Sequence, residues 1–293
     1  MNNYIHTIKV KGDFLTAIRE FLMEHDFIEI HTPKISFMPT DQDNHLFKVD
    51  YFGEETYLIQ SPQFYKQAYI ANGLNSVYEV APVFRAEPRV TREHLSEFTS
   101  LDIESSKFND LNEIMGFESG LIRHATERLS QNYDINPIDT FDIVTYAEVK
   151  RLLKLEKDES IRRKHESEIS KLFSADGIFV RDFPEYQRVF YYASENGVSD
   201  SFDLIVRGLE LTSGGIRTTS KSELVRKMKK DGIDSTRYIP YLNLFNGEIP
   251  THGGFAIGVE RIIAKYLNLQ DVNMINPFGK KPDTTGEDLR WNQ

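Results

Sequence analysis

The sequence predicts an α+β fold: an antiparallel β-sheet flanked by α-helices, in one domain over residues 1–293. Three observations predict it. Strand-like runs come in pairs joined by turn residues, as hairpins do. Helical stretches fall between those pairs and do not alternate singly with strands, so the βαβ repeat of a parallel sheet is missing. Hydrophobic residues make up 40% of the chain and aromatic residues 12%, enough for a substantial core.

Residues 12–25, "GDFLTAIREFLMEH", carry Phe14, Ile18, Phe21 and Leu22 at helical spacing. "FIEIHTP" reads as a short strand stopped by Pro33. "HLFKVDYFGEETYLIQS" reads as a hairpin with Gly53 in its turn. "SPQFYKQAYIANG" has Ser61 as helix cap, Pro62 at the first helical position and Gly73 past the end. "VYEVAPVFR" and "EFTSLDIE" are strands around a charged loop, and 108–131 is a long amphipathic helix. Residues 157–173, "KDESIRRKHESEISKLF", read as a charged helix with a solvated face. Strands follow at "GIFVRDF", "VFYYAS" and "SFDLIVRGLEL", then two helices within 220–246. "HGGFAIGVERIIAKYL" is a strand running into a helix.

The net charge is −10, so the chain has no global attraction for phosphate backbones, and nucleic-acid binding would need a local basic patch. There is no cysteine, which excludes disulfides, thiolate metal sites and a cysteine nucleophile. No stretch has the roughly 20 apolar residues of a membrane span, and the N-terminal stretch has no signal-type apolar core. The expectation is a cytoplasmic protein without membrane contact.

Four stretches concentrate functional groups. In residues 83–104, strand alternation puts Arg85 and Glu87 on one face, and Phe98, Ser100, Asp102 and Glu104 on one face across the loop. That mixture makes a poor core but suits a ligand with a ring, phosphates and an amine; a solvent-facing hairpin gives the same pattern. In "LELTSGGIRTTS", Glu210 and Ser213 are hard oxygen ligands of the kind magnesium accepts, and Arg217 has the fork to grip a carboxylate. In "GGFAIGVERI", Arg261 sits in the first turns of a helix, where a cation is disfavoured unless an anion is present. In "QSPQFYKQ", Gln63 and Lys66 are three apart and share a helix side.

In their order and spacing these stretches resemble the class II aminoacyl-tRNA synthetases, in the aspartyl/asparaginyl branch, from about residue 10 to 275. "FIEIHTPKI" resembles the first motif, which implies a homodimer with Pro33 at its interface. "FRAE" with "REHLSEF" resembles the second. The resemblance implies ATP as substrate, with Arg85 on the α-phosphate, Glu87 at the adenine amino group, Phe98 stacked on the ring, and His94 among the ATP-binding positions. "GGFAIGVERI" resembles the third motif, which implies Arg261 on the γ-phosphate. Arg85 and Arg261 are thereby the catalytic pair. Asp203, Glu210 and Ser213 match magnesium positions, and Glu210 also counts with ATP. Gln63, Ser100 and Asp102 match positions at the amino-acid head, and Lys66 and Arg217 match those at a side-chain carboxylate, which implies aspartate.

The sequence departs from the branch in three places. No anticodon-binding domain is expected ahead of the core; "SFMPTDQDNHLF" offers Asp41 where relatives carry a Glu-Gly-Gly loop; and "NPFGKKPDTTGEDLRWNQ" lacks the arginine of the terminal segment. The implied activity is AMP-forming ligation: aspartyl-adenylate forms, and the aspartyl group passes to an acceptor other than full tRNA, such as ammonia, an amine or a carrier. Two alternatives stay open, an aspartate–tRNA ligase acting without an anticodon domain and a non-catalytic nucleotide-binding paralogue.

Overall fold

The computed structural model describes residues 2–40, 45–86, 92, 95–156 and 158–276. Helix α1 (Asn2–Glu24) begins well before residue 12, because Thr7 and Val10 extend the buried stripe of Phe14 backwards at helical spacing. Then come β1 (Ile28–Glu29), β2 (Ile35–Ser36), and the predicted hairpin as β3 (Lys48–Tyr51) and β4 (Glu54–Leu58). Helix α2 (Gln63–Ala71) starts one residue later than expected: Pro62 is its cap, and the Gln63 N–H donates to Ser61 Oγ at 3.2 Å.

Strands β5 (Ser76–Phe84) and β6 (Glu97–Ser105) pair antiparallel around the charged loop, followed by α3 (Leu111–Ser130). Strand β7 (Phe141–Thr145) and α4 (Tyr146–Leu152) were not expected from the sequence. Next are α5 (Glu166–Leu172), β8 (Gly177–Arg181), the small pair β9 (Ser194–Glu195) and β10 (Val198–Ser199), and the hairpin β11 (Ser201–Val206) and β12 (Leu209–Ile216). Helices α6 (Lys221–Lys230) and α7 (Ile239–Leu242), strand β13 (Gly253–Gly258) and α8 (Val259–Tyr266) complete the described chain.

Eight strands form one sheet in the order β1-β5-β6-β13-β12-β11-β8-β7. Its centre is antiparallel as expected, and each edge adds one parallel pair, β1 with β5 and β7 with β8. Strand alternation divides the two faces. Leu101 and Ile103 of β6, Ile216 of β12 and Phe255 of β13 join the core beneath α1, α3 and α8. Their sequence neighbours face the other side, where α2 and residues 187–192 wall a cavity.

Two local expectations are corrected. "VFYYAS" is not a strand: Phe190, Tyr191 and Tyr192 are all buried in an aromatic cluster with Phe64, Tyr238 and Tyr241, and regular pairing starts only at Ser194. Three consecutive buried rings break the alternation a half-buried strand needs. Among the described residues of 157–173 only α5 and the preceding 3-10 turn Arg163–His165 are helical, and the segment is not a purely solvated face. His165, Glu166 and Ile169 are buried, because the segment packs against β8, β11 and β12.

The paired glycines serve strand contact. A Cβ on Gly254 would lie 2.0 Å from the Ile103 carbonyl oxygen and 2.7 Å from Glu104 Oε2. Gly215 has φ +157°, and a Cβ there would lie 2.3 Å from the Asp200 carbonyl oxygen. Both positions press neighbouring strands against the residues that line the cavity.

Candidate active site

The cavity has a volume of about 270 Å³ and opens on the sheet face bearing Ser100, Asp102, Ser213 and Ala256. Its deep end is built from charge. Arg217, just past β12, donates from Nε to Glu104 Oε1 at 2.9 Å and from Nη2 to Glu104 Oε2 at 3.2 Å. Gln63 Nε2 donates to the same Glu104 Oε2 at 3.2 Å. Burial pushes the Glu104 carboxyl up, but Arg217 and then Lys66 outweigh it and hold it at about 2. Burial likewise disfavours the Arg217 charge, and Glu104 more than restores it. Arg217 lies over the Tyr192 ring, 4.8 Å from its centroid. Its Nη1 is buried with no hydrogen-bond partner among the described residues.

Lys66 is fully buried and does not line the cavity. Its Nζ lies 3.0 Å from Asp102 Oδ1 and 3.5 Å from Glu104 Oε2. The two cations expected to face one carboxylate therefore stand in different layers, Arg217 at the wall and Lys66 behind Asp102 and Glu104. Ser100 Oγ donates to Asp102 Oδ2 at 2.6 Å, so Ser100 and Asp102 form one polar edge.

The other end carries Arg85, Phe98, Glu210, Ser213 and Arg261. The Arg85 guanidinium lies 5.7 Å from the Phe98 ring centroid. Glu210 and Ser213 are three residues apart, a spacing that puts side chains on opposite faces of a regular strand. Register shifts between Leu204 and Ile205, leaving Leu211 unpaired, and this bulge returns Glu210 to the face of Ser213. Burial and then the charge of Asp203 raise the Glu210 carboxyl to about 7. Arg261 Nη1 donates to the Glu210 carbonyl oxygen at 2.9 Å. The neighbouring Glu260 is occupied elsewhere, bonded to Lys11 Nζ at 2.7 Å and to the Thr99 N–H at 3.0 Å.

Asp203 pairs with Ser213 across the β11–β12 ladder, set back from the cavity, and accepts from Arg188 Nη2 at 2.7 Å. Among the described residues no three acidic or histidine side chains form a ready metal cage. Two carboxylates and a hydroxyl at an open edge still fit magnesium, which keeps waters and takes phosphate oxygens as its remaining ligands. Asp41, Glu87 and His94 lie outside the described residues.

An arginine that grips a buried glutamate, a serine–aspartate edge, and an arginine–phenylalanine pair beside the oxygens of Glu210 and Ser213 lie along one cavity. The family model for class II tRNA synthetases (D, K and N) matches residues 1–282. The chain belongs to this family. The synthetase core is 37% identical over 291 residues to the aspartate–tRNA(Asp/Asn) ligase of Thermus thermophilus, covering 92% of this chain and 68% of that protein. It is 34% identical over 292 residues to the aspartate–tRNA(Asp) ligase of Thermococcus kodakarensis, covering 92% and 67%. The asparaginyl-tRNA synthetase of Pyrococcus horikoshii complexed with asparaginyl-adenylate superposes with a TM-score of 0.89 at 26% identity, over 97% of this chain and 70% of that one. The chain thus spans about two thirds of the length of these relatives. Like them it is a ligase of the class II synthetase type. No described helix is long and apolar enough to cross a membrane.

Sequence reasoning missed two residues of the synthetase site. Arg188 lines the cavity, holds Asp203 and stacks 3.7 Å from the Phe183 ring centroid. Glu166 is buried, and its Oε2 accepts from the Glu210 N–H at 2.7 Å. Ile169 and Phe173, three and seven residues after Glu166 in an otherwise charged run, hint that this segment has an inner side.

Proposed function

We propose that the protein activates L-aspartate with ATP and Mg2+, forming aspartyl-adenylate and pyrophosphate. The observation that carries this reading is Arg217 Nη1, a buried donor with no hydrogen-bond partner among the described residues, on a side chain that lines the cavity. A β-carboxylate supplies the missing acceptor with a charge-assisted bond, while an amide supplies a neutral and weaker one. Lys66 acts from behind, fixing Asp102 and Glu104 so that Asp102 and Ser100 receive the α-ammonium group.

The α-carboxylate then faces the nucleotide end. Phe98 offers a face to the adenine, Arg85 meets the α-phosphate, and Arg261 the γ-phosphate. Glu210 and Ser213, with Asp203 behind them, would hold Mg2+, which offsets phosphate charge. An α-carboxylate oxygen attacks the α-phosphorus, the bond to the bridging oxygen breaks, and pyrophosphate leaves. No general base is required, because the nucleophile is already ionised, so the residues act by positioning and charge stabilisation.

The relatives' names support tRNA as acceptor of the aspartyl group, and nothing in the comparisons supports the expected non-tRNA acceptor. The net charge of −10 is the observation that keeps a small amine in consideration. A homodimer is supported by β1, one of the sheet's two edge strands among the described residues, whose Ile28 is 50% exposed; a purely monomeric sedimentation boundary would remove that claim. The activation step is tested by amino-acid-dependent exchange of pyrophosphate into ATP, with Mg2+ and without tRNA.

A further inference from the structure

We propose that Lys11 of α1 is a positioning residue for ATP that acts through Glu260: its ammonium group keeps the Glu260 carboxylate bound to β6, where it holds the nucleotide end together and does not compete with the phosphates. The inference deepens the proposed function and rests on it.

Thr7 and Phe14, four residues before Lys11 and three after it, are buried on the same side of α1. That stripe packs under the sheet and directs Lys11 to β6 and α8. Lys11 Nζ donates to Glu260 Oε1 at 2.7 Å and to Thr99 Oγ1 at 2.9 Å. The other oxygen of the same carboxylate, Oε2, accepts from the Thr99 N–H at 3.0 Å. Three elements far apart in sequence thus close one ring of hydrogen bonds. The ion pair is largely shielded from water, with side-chain exposures of 21% for Lys11 and 3% for Glu260. Salt screens such a pair little, and removing one partner leaves the other's charge buried.

The place of this ring gives it a role beyond stability. Thr99 stands between Phe98 and Ser100, which both line the cavity, and strand alternation turns Thr99 to the helix side. Glu260 also lines the cavity, in the first turn of α8, and Arg261 is the next residue. Glu260 therefore fixes the spacing between Phe98, which offers its face to adenine, and Arg261, which meets the γ-phosphate. It holds that place with Lys11 as counter-charge. With the ammonium gone, a buried carboxylate stands among groups that must receive a polyanion. It repels the phosphates and competes with them for Arg261. The ring includes none of Gln63, Glu104 and Arg217, which bind one another at the far end of the cavity. The aspartate pocket should not sense its loss.

Pyrophosphate exchange with ATP varied, then aspartate varied, tests this in wild type, Lys11→Met, Glu260→Gln and the double variant. Lys11→Met is expected to raise KM for ATP roughly tenfold to a hundredfold, the range for a charged hydrogen-bonding partner, and to change KM for aspartate less than about threefold. Lys11→Arg should recover part of the loss. In the Glu260→Gln background, Lys11→Met should have little further effect, because no carboxylate is left to release. An unchanged KM for ATP in Lys11→Met would overturn the inference, and so would an equal rise for ATP and aspartate. The same rise with and without Glu260→Gln would overturn it too, since Lys11 would then not act through that carboxylate. If Lys11→Met does not fold, the double variant, which strands no charge, is compared with Glu260→Gln alone. Their KM values for ATP should agree, and a gap of about tenfold would overturn the inference. A wild-type protein without aspartate-dependent exchange would overturn the proposed function, so the two failures are distinguishable.

Discussion

Replacing Arg217 with alanine should lower kcat/KM for aspartate in pyrophosphate exchange by ~1,000-fold or more, the scale seen when a site built to bond a polar group loses its partner. Two losses combine. The substrate carboxylate loses Nη1, a donor with no partner among the described residues. Glu104 also loses both guanidinium bonds and is left with Gln63 and the more distant Lys66. Arg217→Lys should restore little, because a single ammonium cannot hold Glu104 through two nitrogens and still present a third donor. ATP binding should be retained in both variants, since Arg85, Phe98 and Arg261 lie at the other end. Loss of ATP binding together with aspartate activation would mean that the variant had collapsed the cavity.

Glu104→Leu should cost about 3–5 kcal/mol of stability, the usual penalty for stranding a buried partner charge. Here two cations are stranded, Lys66 and Arg217, and among the described residues Lys66 keeps Asp102 as its ion-pair partner. A urea unfolding midpoint measures the loss, and Glu104→Gln should lose less because it keeps the shape and some hydrogen bonds. The pH dependence has a definite sign. The folded carboxyl sits at about 2, below its ordinary value of 4.5. Its contribution is therefore complete above about 4.5 and is lost as pH falls toward 2. The stability gap between wild type and Glu104→Leu should narrow over that acid range and stay constant above it.

Much of this site is legible in strand alternation. Phe98, Ser100, Asp102 and Glu104 are spaced by two, and β6 carries them along the face opposite Leu101 and Ile103. The antiparallel centre of the sheet follows from hairpin pairing in the same way. Glu210 with Ser213 is different: their spacing contradicts a common face, and only the resemblance joins them. The bulge at Leu211 that reconciles them depends on register with β11, which no local pattern encodes. Lys66 shows the limit of residue type as a guide. A lysine on a helix beside a glutamine reads as a ligand group, yet its burial beneath Asp102 and Glu104 is set by how α2 packs on β6. Arg188 and Glu166 were hidden for the same reason, since each acts on a residue from a distant strand.

The most direct test of the central claim compares aspartate with asparagine in ATP–pyrophosphate exchange, with Mg2+ and no tRNA. The predicted result is exchange with aspartate and at least ~100-fold lower kcat/KM with asparagine, since the amide offers Arg217 only a neutral acceptor. Exchange with asparagine equal to or faster than with aspartate would contradict the assignment of Arg217 Nη1 to a substrate carboxylate.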